Sequence, residues 1–388
     1  MTGHRCPTVL APPASIAVIG GGQLGRMFIQ AAQRLGFDAG VLAETADAPA
    51  AQVASWSIVG RSTERVALQR LADRATAVTV EFENVSAPAL RWLARRVPVR
   101  PGWRTVWVSQ DRHREKTFLA RHGLPIAPWC PVRSRAELAQ AAAWASPIIL
   151  KTASSGYDGK GQVRVDRPED ASAAWRSLRE VPCVAEAVVE FAVEVSVVVV
   201  RGVDGSALTY PVAENRHSRH ILDSTVMPAD VGPIVAQEAR DFALAIAQAL
   251  ETVGVLTVEF FLTPEGQLLV NEIAPRPHNS GHLTIEAAIT GQFEQQVRAL
   301  CGLPLGSANL SSPGAMVNLL GDLWADGEPR WDAAMAADPG LKIHLYGKQA
   351  AAPGRKMGHI TVLDASPDRA LDRALAGRCR LSPQHRPG

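Results

Sequence analysis

The sequence has no apolar run that is both long enough and uncharged enough to span a bilayer. Its most apolar stretch, Val184 to Val200, is interrupted by Glu186, Glu190 and Glu194 and reads as buried strands. Cysteine is scarce and scattered. Cys6, Cys130, Cys183, Cys301 and Cys379 form no CxxC pair or other metal spacing and are odd in number, which points to reduced thiols in a cytosolic protein. Charge of neither sign dominates: 40 Lys and Arg face 38 Asp and Glu, a net of +2, so no global field marks nucleic acid or a membrane surface as a partner. G-x-S-x-G is missing, the G-x-x-x-x-G-K-[ST] phosphate loop is missing, and no Ser/His/Asp or Cys/His set stands out as a nucleophile. There is no internal repeat. Residues 1–14 carry Pro7, Pro12 and Pro13 and no long apolar core; they are expected to be a disordered leader rather than a signal peptide.

What remains is an ordinary globular chain with ample core: 388 residues, 47% of them apolar, enough for two or three domains. Strands at Ser15–Ile19, Ala39–Ala43, Trp56–Val59 and Ala77–Phe82 alternate with helical segments. That alternation predicts a parallel sheet with crossover helices, hence α/β, over residues 15–108. Beyond it the pattern changes to strand pairs with helices, hence α+β. A helix is expected over Arg112–His122, hairpins around Gly205 and Gly266, a long helix over Gly232–Leu250 and another over Glu286–Leu300. Short strands at Ala315–Leu319, Lys342–Leu345 and His359–Leu363 mark a tail over residues 311–388.

Gly20-Gly21-Gly22-Gln23-Leu24-Gly25 satisfies G-x-G-x-x-G between a strand and a helix, and Glu44 lies where a ribose-binding acid would sit. Such a turn fits three readings: a tight bend alone, a phosphate or other small anion at a helix N-terminus, or a nicotinamide cofactor. The parallel region ends near residue 105, short for a full dinucleotide fold. The rest of the chain is also richer in phosphate and metal groups than hydride transfer needs.

Those groups begin with KTASSGYDGKGQ, Lys151 to Gln162. An apolar run enters it and an alternating one leaves it, so it reads as a hairpin with a glycine-rich, cationic tip able to close over phosphates. Downstream, Glu259 and Glu272 fall on two strands joined by a tight turn. A register pairing residue 259 with 270 sets the two acids a diagonal step apart on one face. Acids so placed either face solvent on a wet sheet or, if buried, call for a cation; beside the lysine hairpin upstream, magnesium on nucleotide phosphates is the favoured reading. Asn271 adjoins them, and the loop Ala274 to His282, APRPHNSGH, is dense in donors suited to a phosphorylated substrate. Lys348, Arg355 and Lys356 form a second basic loop, and His217 fits either a nucleotide site or a plain surface. The chemistry reads as phosphoryl transfer by positioning, magnesium and lysine.

These segments resemble the ATP-grasp superfamily and, within it, the N5-carboxyaminoimidazole ribonucleotide synthetases. The resemblance runs nearly end to end: GGGQLGRM, VEFENV, SQDRHREKTFL, GYDGKGQ, NEIAPRPHNSGH, HLYGK and PGRKMGH. It implies a Rossmann-like pre-ATP-grasp domain over 15–108, an ATP-grasp domain over 109–310 with a flap subdomain near 128–190, and a small β-rich C-terminal lobe. It implies carboxylation of 5-aminoimidazole ribonucleotide with ATP and bicarbonate through carboxyphosphate, in a cytoplasmic homodimer without nucleic-acid or membrane partners. By motif, ATP would be lined by Arg112, Lys151, Gly156, Tyr157, Asp158, Gly159, Lys160, Gly161, Gln162, Glu186, Ala187, Val188, Val189, Glu194, His217, Asn271 and Glu272. Glu259 and Glu272 would hold Mg2+. Gln23, Glu81, Arg276, His278, Asn279, Ser280, Lys348 and Arg355 would hold the ribonucleotide, and Tyr157, Asp158, Arg276 and Asn279 would serve the reacting carboxyl and amine. The chain departs from the family in having Ser155 and His220 where glycines are usual, and Ala352 where arginine is usual. Another ATP-grasp carboxylate–amine ligase and, from a different class, an NAD(P)-dependent oxidoreductase are the competing readings.

Overall fold

The structure is a computed structural model and describes residues 9–156 and 159–382. Its first sheet is parallel, with strands in the order Trp56–Val59, Asp38–Ala43, Ser15–Ile19 and Ala77–Val80. Successive side chains of a strand point to opposite faces, and here both faces are covered. Ile16 and Val18 pack with Phe28 and Ile29 of helix Gln23–Arg34, together with Phe293 and Val297 from helix Gln292–Cys301. Ala17 and Ile19 pack with Leu68, Leu71, Leu90 and Leu93. Double burial explains why this strand is a continuous apolar run rather than an alternating one.

A second sheet of four antiparallel strands runs in the order Trp129–Val132, Cys183–Ala187, Ile148–Thr152 and Gln162–Val165. It contains the expected hairpin. Lys151 lies inside the first arm, opposite Gln162 of the second. The largest sheet has nine strands, mostly in the order Leu268–Ala274, Gly254–Leu262, Val193–Arg201, Ala213–Ser218, Ile221–Met227, Gly314–Leu320, Lys356–Leu363 and Lys342–Leu345. Helix Pro233–Ala249 covers one face through Ala239, Ala243 and Ile246 against Val197, Val199, Leu256 and Val258. The tail strands continue this sheet directly, because Gly314–Leu320 pairs with Ile221–Met227.

Several expectations change. The helix expected over Glu286–Leu300 is two helices, Thr284–Ala287 and Gln292–Cys301. Between them Ile289 and Thr290 donate to the carbonyls of Asn309 and Ser307, so extended pairing replaces a helical turn. Strands Ala213–Ser218 and Ile221–Met227 and helix Pro367–Leu381, capped by Ser366, have no counterpart in the sequence reading. The acid-bearing hairpin shifts register by one. Glu259 lies directly opposite Glu272 and Phe260 opposite Val270, with Asn271 as the extra residue of a bulge.

The parallel sheet depends on one close approach. Gly40 is register partner to Trp56, and a Cβ at residue 40 would collide with the indole. That ring is fixed by Nε1 donating to Asp38 Oδ2 at 2.9 Å and Ser15 Oγ at 3.1 Å. Gly40→Ala is therefore expected to destabilise the protein by about 1–3 kcal/mol, measured by urea denaturation.

Candidate active site

The three sheets converge on one cleft of about 890 Å³. Its floor is the acid hairpin, its roof the glycine-rich hairpin, and one end is the glycine turn of the parallel sheet. Gln23, Glu81, Arg112, Lys151, Gly156, Gly159, Lys160, Gly161, Gln162, Glu194, His217, Glu259, Asn271, Glu272, Arg276, His278 and Asn279 all line it. Tyr157 and Asp158 lie outside the described residues. Lys348 and Arg355 line an adjoining pocket of about 320 Å³ beside Gly20 and Glu44, which shares Gly22 and Phe82 with the cleft. Glu186, Ala187, Val188 and Val189 do not line the cleft directly. Ser280 does not either: it is fully buried, and its hydroxyl is committed to Ser196 and His278.

At the nucleotide end, Asp111 caps helix Arg112–Arg121 and aims Arg112 into the cleft. The Arg112 guanidinium reaches Glu272 at 3.4 Å. Four residues on, hence on the same helix face, Lys116 is 1% exposed. The sequence reading missed it, although its spacing from Arg112 was the available signal. Lys116 Nζ donates to the Asn271 carbonyl at 2.9 Å and lies 3.4 Å from Glu186 Oε1, while Lys151 Nζ lies 2.9 Å from Glu186 Oε2. A single buried carboxylate thus fixes two lysines. Burial alone would raise the Glu186 carboxyl, but the two ammonium charges outweigh it and bring it down to about 2. Burial lowers the Lys116 ammonium, and Glu186 opposes that.

On the floor the two acids behave differently. Burial raises Glu259, but His278 at 3.0 Å, then His217 and Arg276, outweigh it and hold the carboxyl at about 2. Glu272 is raised by burial and by the Glu259 charge, which Arg112 and Lys151 only partly offset. An acid with an uncompensated like-charged neighbour, still 43% open to the cleft along its side chain, is what a divalent cation would relieve. The oxygen and nitrogen donors of Glu194, His217 and Glu259 also gather within 4.8 Å of one another, and His217 Nδ1 is 2.9 Å from Glu194 Oε2.

At the other end, the glycine turn holds an anion that belongs to the protein. The N–H groups of Gly22 and Gly25 donate to Glu81 Oε1 and Oε2 at 2.5 and 2.8 Å, and a Cβ at Gly20 would collide with the Glu81 side chain. The helix N-terminus therefore grips a carboxylate in the place where a dinucleotide fold grips pyrophosphate. Glu83, two residues on, pairs instead with Arg276 at 2.8 Å. Asn279 forms a reciprocal amide pair with Asn318 of the tail strand at 3.1 and 2.7 Å, which fixes its orientation from across the sheet.

A glycine-rich hairpin above paired acids on a broad antiparallel sheet defines an ATP-grasp enzyme. The ATP-grasp domain model matches residues 117–293, the ribonucleotide synthetase preATP-grasp domain residues 14–110, and the phosphoribosylaminoimidazole carboxylase C-terminal domain residues 314–373. The N5-carboxyaminoimidazole ribonucleotide synthase of Bacillus subtilis is 42% identical over 93% of this chain and 94% of its own. That of Brucella melitensis is 42% identical over 91% and 97%. The structure of the Aspergillus clavatus enzyme in complex with ADP and 5-aminoimidazole ribonucleotide superposes with a TM-score of 0.86 at 32% identity, covering 95% of this chain and 99% of that one. The chain belongs to the N5-carboxyaminoimidazole ribonucleotide synthase family.

The depressed Glu186 carboxyl has a pH consequence. A folded-state value below the unfolded one stabilises the protein above the unfolded value, and that stabilisation is lost as pH falls. The denaturation free energy should therefore hold above about pH 4.5 and drop toward about pH 2, with a shallower drop in Glu186→Gln, read from urea titrations across acid pH.

Proposed function

We propose that this chain is an ATP- and bicarbonate-dependent ligase of purine biosynthesis that carboxylates the exocyclic amine of 5-aminoimidazole ribonucleotide. The observation that carries the reading is the arrangement of one cleft. Phosphate-seeking cations, Lys151 and Arg112, and the donor-rich loop with Arg276 and His278 line the same cleft as the acids Glu259 and Glu272, with His278 in direct contact with Glu259. Close relatives that carry out this conversion by name, one of them seen with both ADP and the ribonucleotide, support it. Among the described residues no helix is long and apolar enough to cross a membrane.

In this reading a bicarbonate oxygen attacks the γ-phosphorus, the bond to the β-bridging oxygen breaks, and ADP leaves. The resulting carboxyphosphate, or carbon dioxide released from it, meets the amine. A C–N bond forms, the C–O bond to phosphate breaks, and the amine proton passes to the departing phosphate. Lys151 and Arg112 neutralise the transferring phosphoryl group, and Glu186 holds Lys151 in place. Glu194 and His217 flank the nucleotide. Glu259 and Glu272, directly opposed, would hold Mg2+, which when bound neutralises phosphate oxygens as charge develops. Arg276, anchored by Glu83, and Asn279, anchored by Asn318, stand ready for the carboxyl group. Lys348 and Arg355 suit the ribonucleotide phosphate, and Gln23 and Glu81 its remaining polar edge. The glycine turn does not favour a nicotinamide cofactor, since Glu81 already occupies its N–H groups.

Two measurements test the reading. ATP hydrolysis in bicarbonate buffer should be strongly stimulated by 5-aminoimidazole ribonucleotide, and a rate indifferent to the ribonucleotide would contradict it. Glu272→Gln, which keeps shape and removes charge, should abolish turnover while the melting temperature stays within a few degrees of wild type.

A further inference from the structure

One turn at the rim of the cleft has a backbone that its residues do not favour, and the mechanism above leaves it unused. Strands Ala213–Ser218 and Ile221–Met227 are joined by two residues, Arg219 and His220, because Ser218 is register partner to Ile221. Both have positive φ, 51° and 65°, as a type I′ hairpin turn requires. Asparagine and glycine take that backbone readily, whereas arginine and histidine take it at a cost. Burial does not explain the choice, since both residues are exposed. Ion pairing does not explain it either. The Arg219 guanidinium lies 3.6 Å from Asp322, but the Arg219 side chain is 75% exposed, and a pair so open to water contributes little.

What His220 does touch is the flap. Arg219 and His220 both line the cleft, and Gly159 of the flap lies against the His220 side chain. A Cβ on Gly159 would collide with His220 Cβ and would lie 3.0 Å from Cγ and 3.3 Å from Cδ2. Only glycine lets the two segments come so near. The contact joins separate sheets. The turn belongs to the nine-stranded sheet, and the flap belongs to the four-stranded antiparallel one. Three residues beyond Gly159, Gln162 pairs with Lys151, so the contact bears on the arm that runs beside the phosphate-seeking lysine.

We propose that His220 is a positioning residue, the stop on which the flap rests at Gly159, and that it sets the height of the glycine-rich tip above the nucleotide. Strain kept at an exposed position beside a ligand cleft points to a backbone held for function rather than for stability. A glycine at residue 220 would relieve the turn and remove the stop together. The inference rests on the reading of the cleft as a nucleotide site.

The test compares two variants of the full-length protein. His220→Gly removes the stop. His220→Asn keeps a Cβ and a Cγ and tolerates the left-handed backbone. Trypsin cutting after Lys160, followed without ATP or ribonucleotide, should be about 3- to 10-fold faster in His220→Gly, the scale of one lost side-chain contact. The KM for ATP should rise by a similar factor while the KM for ribonucleotide stays unchanged. The melting temperature should stand at or above that of wild type, because the turn is relieved. His220→Asn should restore wild-type cutting and wild-type KM for ATP. Three results would each overturn the proposal: His220→Gly cut at the wild-type rate, His220→Asn behaving like His220→Gly, or His220→Gly melting below wild type with faster cutting throughout the chain. The cutting rate is read without substrates. A wild-type enzyme indifferent to the ribonucleotide would therefore contradict the proposed reaction and leave the flap result standing.

Discussion

Two carboxylates set directly opposite each other are the constraint around which this molecule is arranged. Glu259 and Glu272 face one another across a bulged hairpin, and the Glu259 charge works with burial to push the Glu272 carboxyl up. Three neighbouring elements make this tolerable. Helix Arg112–Arg121 brings Arg112 to Glu272, the donor-rich loop brings His278 to Glu259, and the flap hairpin brings Lys151. The neutralisation is uneven: Glu259 is held down and Glu272 is pushed up. The deficit at Glu272 faces the open cleft, where a cation and an anionic ligand can meet it.

The glycine turn shows why a motif is less informative than its surroundings. Its geometry suits an anion, and an anion is there, but it is the side chain of Glu81 from the end of the next strand of the same sheet. The fold keeps the phosphate-gripping architecture of a dinucleotide domain and fills it internally. The adjoining pocket with Lys348 and Arg355 is lined by the turn's Gly20, Gly21 and Gly22. In the proposed function, the ribonucleotide contacts would thereby come from both ends of the chain.

Most of the scaffold was legible because local chemistry and tertiary structure agree: the Ser15–Ile19 strand, the Lys151 hairpin, the Asp111-capped helix and the acid hairpin fall where pattern puts them. The misses have physical causes. A one-residue bulge at Asn271 leaves no local signal yet changes a diagonal pair into a facing one. Strand Ala213–Ser218 ends in Arg216, His217 and Ser218, all exposed, so no apolar alternation announced it. Ser280 entered the ligand set through the family motif, and the structure instead buries it against Ser196 of the sheet behind the loop. Lys116 sat in plain view but is buried against Glu186, which only the folded helix reveals. The two departures from the family's glycines became meaningful in three dimensions. Ser155 and His220 adopt φ of 63° and 65°, a left-handed backbone that costs a side-chain-bearing residue about 1–2 kcal/mol. Both lie at the cleft rim, and a Cβ on Gly159 of the flap would collide with His220.

In the proposed reaction bicarbonate, not water, takes the phosphoryl group in this cleft. Oxygen-18 in bicarbonate reports on it directly. With ATP, magnesium and 5-aminoimidazole ribonucleotide present, the account predicts that one labelled oxygen passes from bicarbonate into the inorganic phosphate released. The label stays because the C–O bond, not the new P–O bond, breaks in the second step. Phosphate that carries only oxygen from solvent water or from ATP would contradict it.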